Sequence, residues 1–267
     1  MSSLTRRIGR ILPDSLRVAI RNRRFRLQNI GFETYVGELE HFGEHFKFFV
    51  GDHVSKSWFR GGWDWTEIEF LKDRVVEPGD VILEAGAHHG ELMLFLSRWI
   101  GMDGHLTTFE PVPLNTDVIA RNIELNNIEN VTLVRAAVGS KTGRTWITDE
   151  SNAQVSGPGQ GIEVDVVALD DYAHLNPTLL KIDVEGFEAE VLKGAQNVLA
   201  KCPKIHLELH PNPLKRFGSS LEEVLELMGA DRYDLWFRMK GEDNVRIYHG
   251  EPLEDEAHLF ALPKSDT

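Results

Sequence analysis

Between Pro78 and Pro211 short apolar runs alternate with amphipathic stretches, and no other feature of the chain restricts its fold as much. Val81-Ile82-Leu83, His105 to Phe109, Val131 to Val134, Leu179 to Ile182 and Lys204 to Leu209 read as strands. A stretch with Leu92, Phe95, Leu96 and Trp99, stopped at Gly101, reads as a helix. So do Asn115 to Asn126, with Val118, Ile119 and Ile123 as apolar positions, and Phe187 to Ala200. Strands alternating with helices at this spacing predict an α/β fold with a parallel sheet. Leu221 to Met228 then reads as a helix, and Arg232 to Phe237 and His258 to Leu262 as closing strands. Residues 143–168 read as two strands around a polar loop, Ser151 to Gly161, which is expected to move or to order on ligand binding.

The 267 residues are 42% hydrophobic and 27% charged, an ordinary globular mixture that argues against extended disorder. The expected organisation is an arm, hairpin and lead-in helix over 1–77 and one large domain over 78–267. In the first part, Phe32 to Val36 and His45 to Val50 suit a hairpin around Gly43. Trp58, Trp63 and Trp65 lead into a helix from Asp64 to Val75 with Ile68, Leu71 and Val75 as its apolar face. The single cysteine, Cys202, excludes an intrachain disulfide framework and a thiolate-rich zinc site.

The net charge of −13 is uneven: residues 1–30 carry +7 and the remainder −20. So acidic a body is a poor match for a nucleic-acid backbone, and no nucleic-acid partner is expected. Leu4, Ile8, Ile11, Leu12, Leu16 and Ile20 among the arginines suit an amphipathic helix interrupted at Pro13. The plainer expectation is a helix packed on the domain with its basic face in water; the sharper one is peripheral membrane contact. No apolar run approaches the length of a membrane span, and a cytoplasmic location is the default expectation.

Four motifs cluster at predicted strand ends. Glu84-x-Gly86-x-x-x-Gly90 suits a tight turn from a strand into a helix, with glycine admitting a ligand close to the backbone. It lacks the three-glycine phosphate turn of a nicotinamide dehydrogenase. Glu110 ends the next strand, where a carboxylate can accept both hydroxyls of a ribose, or simply cap the helix beyond Pro111. Asp183 and Glu185 follow a buried strand and point toward the crevice where open sheets bind ligands. Glu188 is accounted for as an acid at a helix N-terminus. His206-x-Glu208-x-His210-Pro211 places three polar groups on one face of a regular strand.

This ordered set resembles the FkbM family of S-adenosylmethionine-dependent methyltransferases. The matching stretches are Val81 to Ala87 with Gly90, Thr108 to Pro111, Arg121 to Asn126, Val164 to Asp171, Leu180 to Glu188, and Val191 to Ala195. The resemblance implies a class I methyltransferase fold, a Rossmann-like three-layer sandwich with a mostly parallel seven-stranded sheet and one antiparallel strand near its edge. It implies S-adenosylmethionine as cofactor, with Glu84 and Gly86 at the methionine portion and Glu110 at the ribose. Ala87, His88, Gly90, Pro111, Asn115, Ala137 and Asp183 complete the expected cofactor pocket. Two positions depart from the family: aspartate is usual at Glu84 and asparagine at His88. The acceptor implied is a hydroxyl on a sugar, glycan or secondary metabolite.

Methyl transfer to a hydroxyl needs alignment and removal of a proton. Asp183 is expected to orient the acceptor or the methionine amine, with His210 as base and Glu185 and Glu208 as supports. Mg²⁺ or Mn²⁺ held by Asp183, Glu185, Glu208 and His210 is a less favoured variant, and no metal ligands are assigned. The alternative is a degenerate fold that binds a small molecule or partner without chemistry. Trp58, Trp63 and Trp65 could stack on a sugar, although packing is the commoner use of tryptophan in such a setting.

Overall fold

The computed structural model describes residues 14–62 and 65–264. Trp63, Asp64 and the arm positions before Asp14 lie outside the described residues. The strands are β1 (Tyr35–His41), β2 (Glu44–Val50), β3 (Val81–Ala85), β4 (His105–Phe109), β5 (Val131–Val134), β6 (Ala137–Val138), β7 (Gly143–Ile147), β8 (Val155–Ser156), β9 (Ile162–Val167), β10 (Leu179–Ile182), β11 (Lys204–Leu209), β12 (Tyr233–Met239), β13 (Arg246–Ile247) and β14 (Ala257–Pro263). The α-helices are α1 (Asp14–Asn29), α2 (His53–Ser57), α3 (Trp65–Phe70), α4 (Glu91–Ile100), α5 (Pro113–Leu125), α6 (Glu188–Lys193), α7 (Gln196–Leu199), α8 (Pro211–Arg216) and α9 (Leu221–Met228).

The main sheet has the order β5-β4-β3-β10-β11-β14-β12-β13. From β5 to β11 every pairing is parallel, and β14 runs antiparallel between β11 and β12. This is the expected seven-stranded arrangement, extended by the two-residue β13. The order reverses between β3 and β10, which leaves a crevice beyond their carboxyl ends. A small sheet, β6-β9-β7-β8, flanks that crevice.

The start of α4 shows why the crevice is rigid. Its first cap, Gly90, has φ 81°, and a side chain there would crowd Met93 and Ile119. Met93, Leu94, Phe95, Leu96 and Ile100 are all buried on α4. At about 1.5–3 kcal/mol per buried apolar side chain, their packing holds the tight turn in place. Leu39, Phe46 and Phe48 of the hairpin join Phe95, Ile82 and Leu106 in one apolar cluster, so the core runs continuously across residue 77.

The hairpin turns around Gly43 as expected, but its first strand lies later in the chain than its apolar content suggests. Phe42 and Gly43, both at positive φ, make a two-residue turn that pairs His41 with Glu44 and draws the polar stretch Gly37 to His41 into β1. The expected helix Phe187 to Ala200 is two helices, α6 and α7. Gly194 separates them because a Cβ there would lie 2.2 Å from the Gly139 carbonyl oxygen. Ile68, Leu71 and Val75 are buried as expected, with α3 widening into a π-turn over Leu71–Val75.

Helix α1 docks with the opposite orientation to the plainer expectation. Arg21 pairs with Glu150 and donates to Gln154, Arg26 pairs with Asp149, and Asn22 accepts from the Asp149 backbone. The outward positions are Leu16, Ile20 and Leu27, 45–56% exposed, together with Arg23 and Arg24.

Candidate active site

Two polar rows cross the carboxyl ends of the central strands. Register places Thr108, Glu84, Lys181 and His206 side by side on β4, β3, β10 and β11. One step further, Glu208, His258 and Arg238 align on β11, β14 and β12. Side chains directly opposite in a ladder share a face, so one side of the sheet ends in a charged ribbon. A ribbon of this kind inside a folded body is costly unless each charge meets a partner.

Two adjoining clefts open over this ribbon. The first is lined by Gly86, Glu110, Pro111, Ala137, Ser151 and Phe187 among others. The second, larger one is lined by Glu84, Ala87, Lys181, Glu208, Glu67 and His258 among others. Gly86, His88, Asn152, Asp183 and Glu185 belong to both.

Glu110 is the most tightly held residue of the first cleft. Its Oε2 accepts from the His88 backbone at 2.9 Å; its Oε1 accepts from the Val112 backbone at 2.9 Å and from Asn115 Nδ2 at 3.2 Å. Glu110 supports the start of α5, as the capping reading expects, and it also lines the cleft. Burial raises its carboxyl to about 7, the hydrogen bonds offsetting only part of the cost. Asn115 is fully buried and reaches the cleft through Glu110 and Ser151 rather than as a wall. Gly90 lines neither cleft and serves as the turn into α4.

His88 sits at φ 53°, a left-handed conformation in which asparagine and histidine are both enriched. Its imidazole reaches Ser151 Oγ at 3.0 Å, as does that of the buried His89. Ser151 donates in turn to Asn115. The departure from asparagine therefore keeps the backbone turn and adds a bond to the loop that walls the cleft.

Glu84 is fully buried, its Oε2 accepting from Thr108 Oγ1 at 2.7 Å while its Oε1 has no hydrogen-bond partner. Burial raises its carboxyl, and Lys181 works against that rise. An unsatisfied buried acceptor at the cleft floor fits a ligand that brings a donor or a positive charge. Gly86 fits as well: a Cβ at its φ of 85° would lie 1.8 Å from the Asp183 carbonyl oxygen. Glu84, Gly86 and Glu110 thus suit the methionine amine side and the ribose of S-adenosylmethionine.

Lys181, within the stretch Leu180 to Glu188, organises the ribbon. Its Nζ donates to the Gly86 carbonyl at 3.0 Å and to Asp183 at 3.2 Å. A lysine inside a four-residue buried strand is the signal that could have found it. Burial disfavours the Asp183 carboxylate, but Lys181 and His210 outweigh this and hold it well below the usual range. Burial and the Asp183 charge raise Glu185, which sits at φ 55° and accepts from Gln154 of the loop. Burial and Asp183 likewise raise Glu208.

His210 is placed differently from its expected role. Its Nδ1 bonds Glu188 at 2.8 Å, and it borders a neighbouring cleft shared with Glu185 and Glu256. Burial opposes its charge, but Glu188 and the nearby Asp183 and Glu185 raise it to about 9. It is therefore cationic near neutrality, which runs against the role of base. Glu188 is fully buried and does more than stabilise a helix end: it joins the Gly186 backbone to His210. His206, Glu208 and His210 do not act as one face, because His210 has left the strand to cap α8, while His206 lies 3.2 Å from Glu67.

Sheet order, crevice and the carboxylates at the ends of β3 and β4 define a class I methyltransferase fold. Residues 84–238 match the methyltransferase FkbM domain, and the chain belongs to that family. It is 27% identical over 143 residues to Methyltransferase 1 of Beauveria bassiana (strain ARSEF 2860), a match covering 42% of this chain and 57% of that protein. The crystal structure of methyltransferase FkbM from Methylobacillus flagellatus KT is similar in fold, with a TM-score of 0.51 and 18% identity over 75% of this chain and 48% of that one. The chain thus spans about half to three-fifths of the length of these relatives.

Proposed function

We propose that the chain transfers a methyl group from S-adenosylmethionine to a hydroxyl oxygen of a polar, sugar-like acceptor. The observation that carries this reading is the pair of buried carboxylates, Glu84 and Glu110, on either side of Gly86, with Glu84 Oε1 lacking any partner. When bound, the cofactor supplies an electrophilic methyl group on a sulfonium. Glu84 accepts from the methionine amine, Glu110 from the ribose hydroxyls, and Ser151 to Ala153 wall the cleft. Asp183, kept ionised by Lys181, orients the acceptor hydroxyl where the two clefts join. Glu185 takes its proton: it lines both clefts, and its raised pKa makes it a stronger base than an ordinary carboxylate. His210 acts as a fixed positive charge beside Asp183 and Glu185.

Positioning can supply about 7–11 kcal/mol of the barrier, whereas a base contributes about 10²–10⁴-fold. Replacement of Glu185 is therefore expected to slow the reaction without abolishing it. The larger cleft supports a polar acceptor, since Glu67, Glu208, Arg238 and Lys240 line it beside the half-exposed Trp58. Trp65 is engaged in stacking on His41 at 3.6 Å. Calorimetric titration with S-adenosylmethionine and S-adenosylhomocysteine tests the reading. Micromolar binding that collapses in Glu110→Ala is expected; a folded protein that binds neither would favour the non-catalytic fold instead.

The exposed Leu16, Ile20 and Leu27 with Arg23 and Arg24 support a second element of the reading: peripheral contact of α1 with an anionic membrane surface. Among the described residues no helix is long and apolar enough to cross a membrane.

A further inference from the structure

We propose that Glu67, His206 and His258 form a binding site for a first-row divalent cation of the zinc type, with an open position facing the larger cleft. The three residues come from α3, β11 and β14 and are distant in sequence. His206 Nε2 lies 3.2 Å from Glu67 Oε1 and 3.4 Å from His258 Nδ1, and His258 Nδ1 lies 3.4 Å from Glu67 Oε2. Ligands about 2.0–2.1 Å from a tetrahedral zinc ion stand about 3.3–3.4 Å apart, the edge of the tetrahedron. N–H···O hydrogen bonds instead cluster near about 2.9–3.0 Å. The separation of the two imidazole nitrogens matches that edge, and the Glu67 carboxylate stands across both of them, one oxygen 3.2 Å from His206 and the other 3.4 Å from His258.

The chemistry of the donors agrees with the spacing. Two imidazoles and one carboxylate suit zinc and its first-row neighbours rather than Mg²⁺, and three protein ligands leave a coordination place open. The set is held rigidly: His206 is fully buried and stacks on Phe260 with ring centroids 4.7 Å apart and planes 7° from parallel. Glu67 and His258 line the cleft, giving the cation an entry path and the open place a direction. Lys181, next to His206 in the ladder, and Arg238, next to His258, are neighbouring positive charges; Asp183 is paired with Lys181, Glu84 stands on its other side, and Arg238 donates to the Glu242 carbonyl. The cation's use, contact with an acceptor oxygen, rests on the function proposed above; its binding does not.

Titration of the untagged, full-length protein with Co²⁺ tests the site, read by visible d–d absorption and by displacement with Zn²⁺. One equivalent with a tetrahedral spectrum is expected. Glu67→Gln, nearly isosteric, is expected to weaken binding at least about 100-fold, more than loss of an outer-shell partner usually costs. His258→Gln should do the same. His210→Asn should leave binding unchanged, because His210 belongs to the separate groupings with Asp183 and Glu185 and with Glu208 and Glu256. Absence of binding by folded wild type overturns the proposal. So does binding that survives both Glu67→Gln and His258→Gln, or that His210→Asn abolishes. S-adenosylhomocysteine titrated into the same metal-free samples reports on the methyltransferase reading independently.

Discussion

On the proposed assignment of Glu110 to the ribose, cofactor affinity should depend on pH. The Glu110 carboxyl titrates at about 7 in the ligand-free protein because burial outweighs its hydrogen bonds. Only the ionised form offers acceptors to a pair of ribose hydroxyls without also presenting a proton. Roughly one-tenth of molecules carry the carboxylate at about pH 6 and roughly nine-tenths at about pH 8, so apparent affinity should rise about tenfold, or ~1.4 kcal/mol. Calorimetric titration of S-adenosylhomocysteine at both pH values, in buffers of different ionisation enthalpy, would read the affinity and the proton released together. Burial lowers the neighbouring His88, yet Glu91 and Glu110 raise it overall, so a second titrating group stands beside Glu110. His88→Asn removes that group and should keep the tenfold rise, whereas Glu110→Gln should flatten it. An affinity unchanged between the two pH values in the wild type and in His88→Asn would refute the assignment.

Lys181→Met removes the ammonium that faces both Asp183 and Glu84 and should cost about 3–5 kcal/mol, measured by urea unfolding. A loss below about 1 kcal/mol would show that the ribbon tolerates its charges unaided. The folded pKa of His210, about 9, lies above its unfolded value of 6.5, so its contribution is complete below pH 6.5 and disappears as pH rises through 9. That contribution is of order 3 kcal/mol, and His210→Gln should remove this part of the pH dependence of unfolding. Vesicles containing anionic lipid should retain the wild-type protein at low salt, and Leu16, Ile20 and Leu27 replaced together by Ser should release it. Equal retention of that variant would exclude the outward face of α1 as the contact.

The parts legible in the sequence were those encoded over a few consecutive residues. Leu179 to Ile182 and Lys204 to Leu209 read as strands to the residue, because each is a short segment that follows a proline, Pro177 or Pro203, within a regular alternation of strands and helices. The crevice followed from the order of strands and helices. What required three dimensions was pairing between distant segments. Nothing local indicates that Glu67 meets His206 and His258, or that Glu188 captures His210. The orientation of α1 was hidden for the same reason. Its arginines look solvent-seeking until Asp149 and Glu150 are brought beneath them.

The docking of α1 has a mechanical side. Arg21, Asn22 and Arg26 grip Asp149, Glu150 and Gln154, and the segment between them, Ser151 to Ala153, is the wall of the first cleft. The helix thus clamps the residues on either side of the wall, while Ser151 itself is held from within by His88, His89 and Asn115. Exposed ion pairs are individually weak and screened by salt, so the strap opens readily but opens as a unit. A surface that drew α1 off the body would remove that outer clamp from the doorway of the first cleft. By linkage, a ligand that seals that doorway holds α1 down.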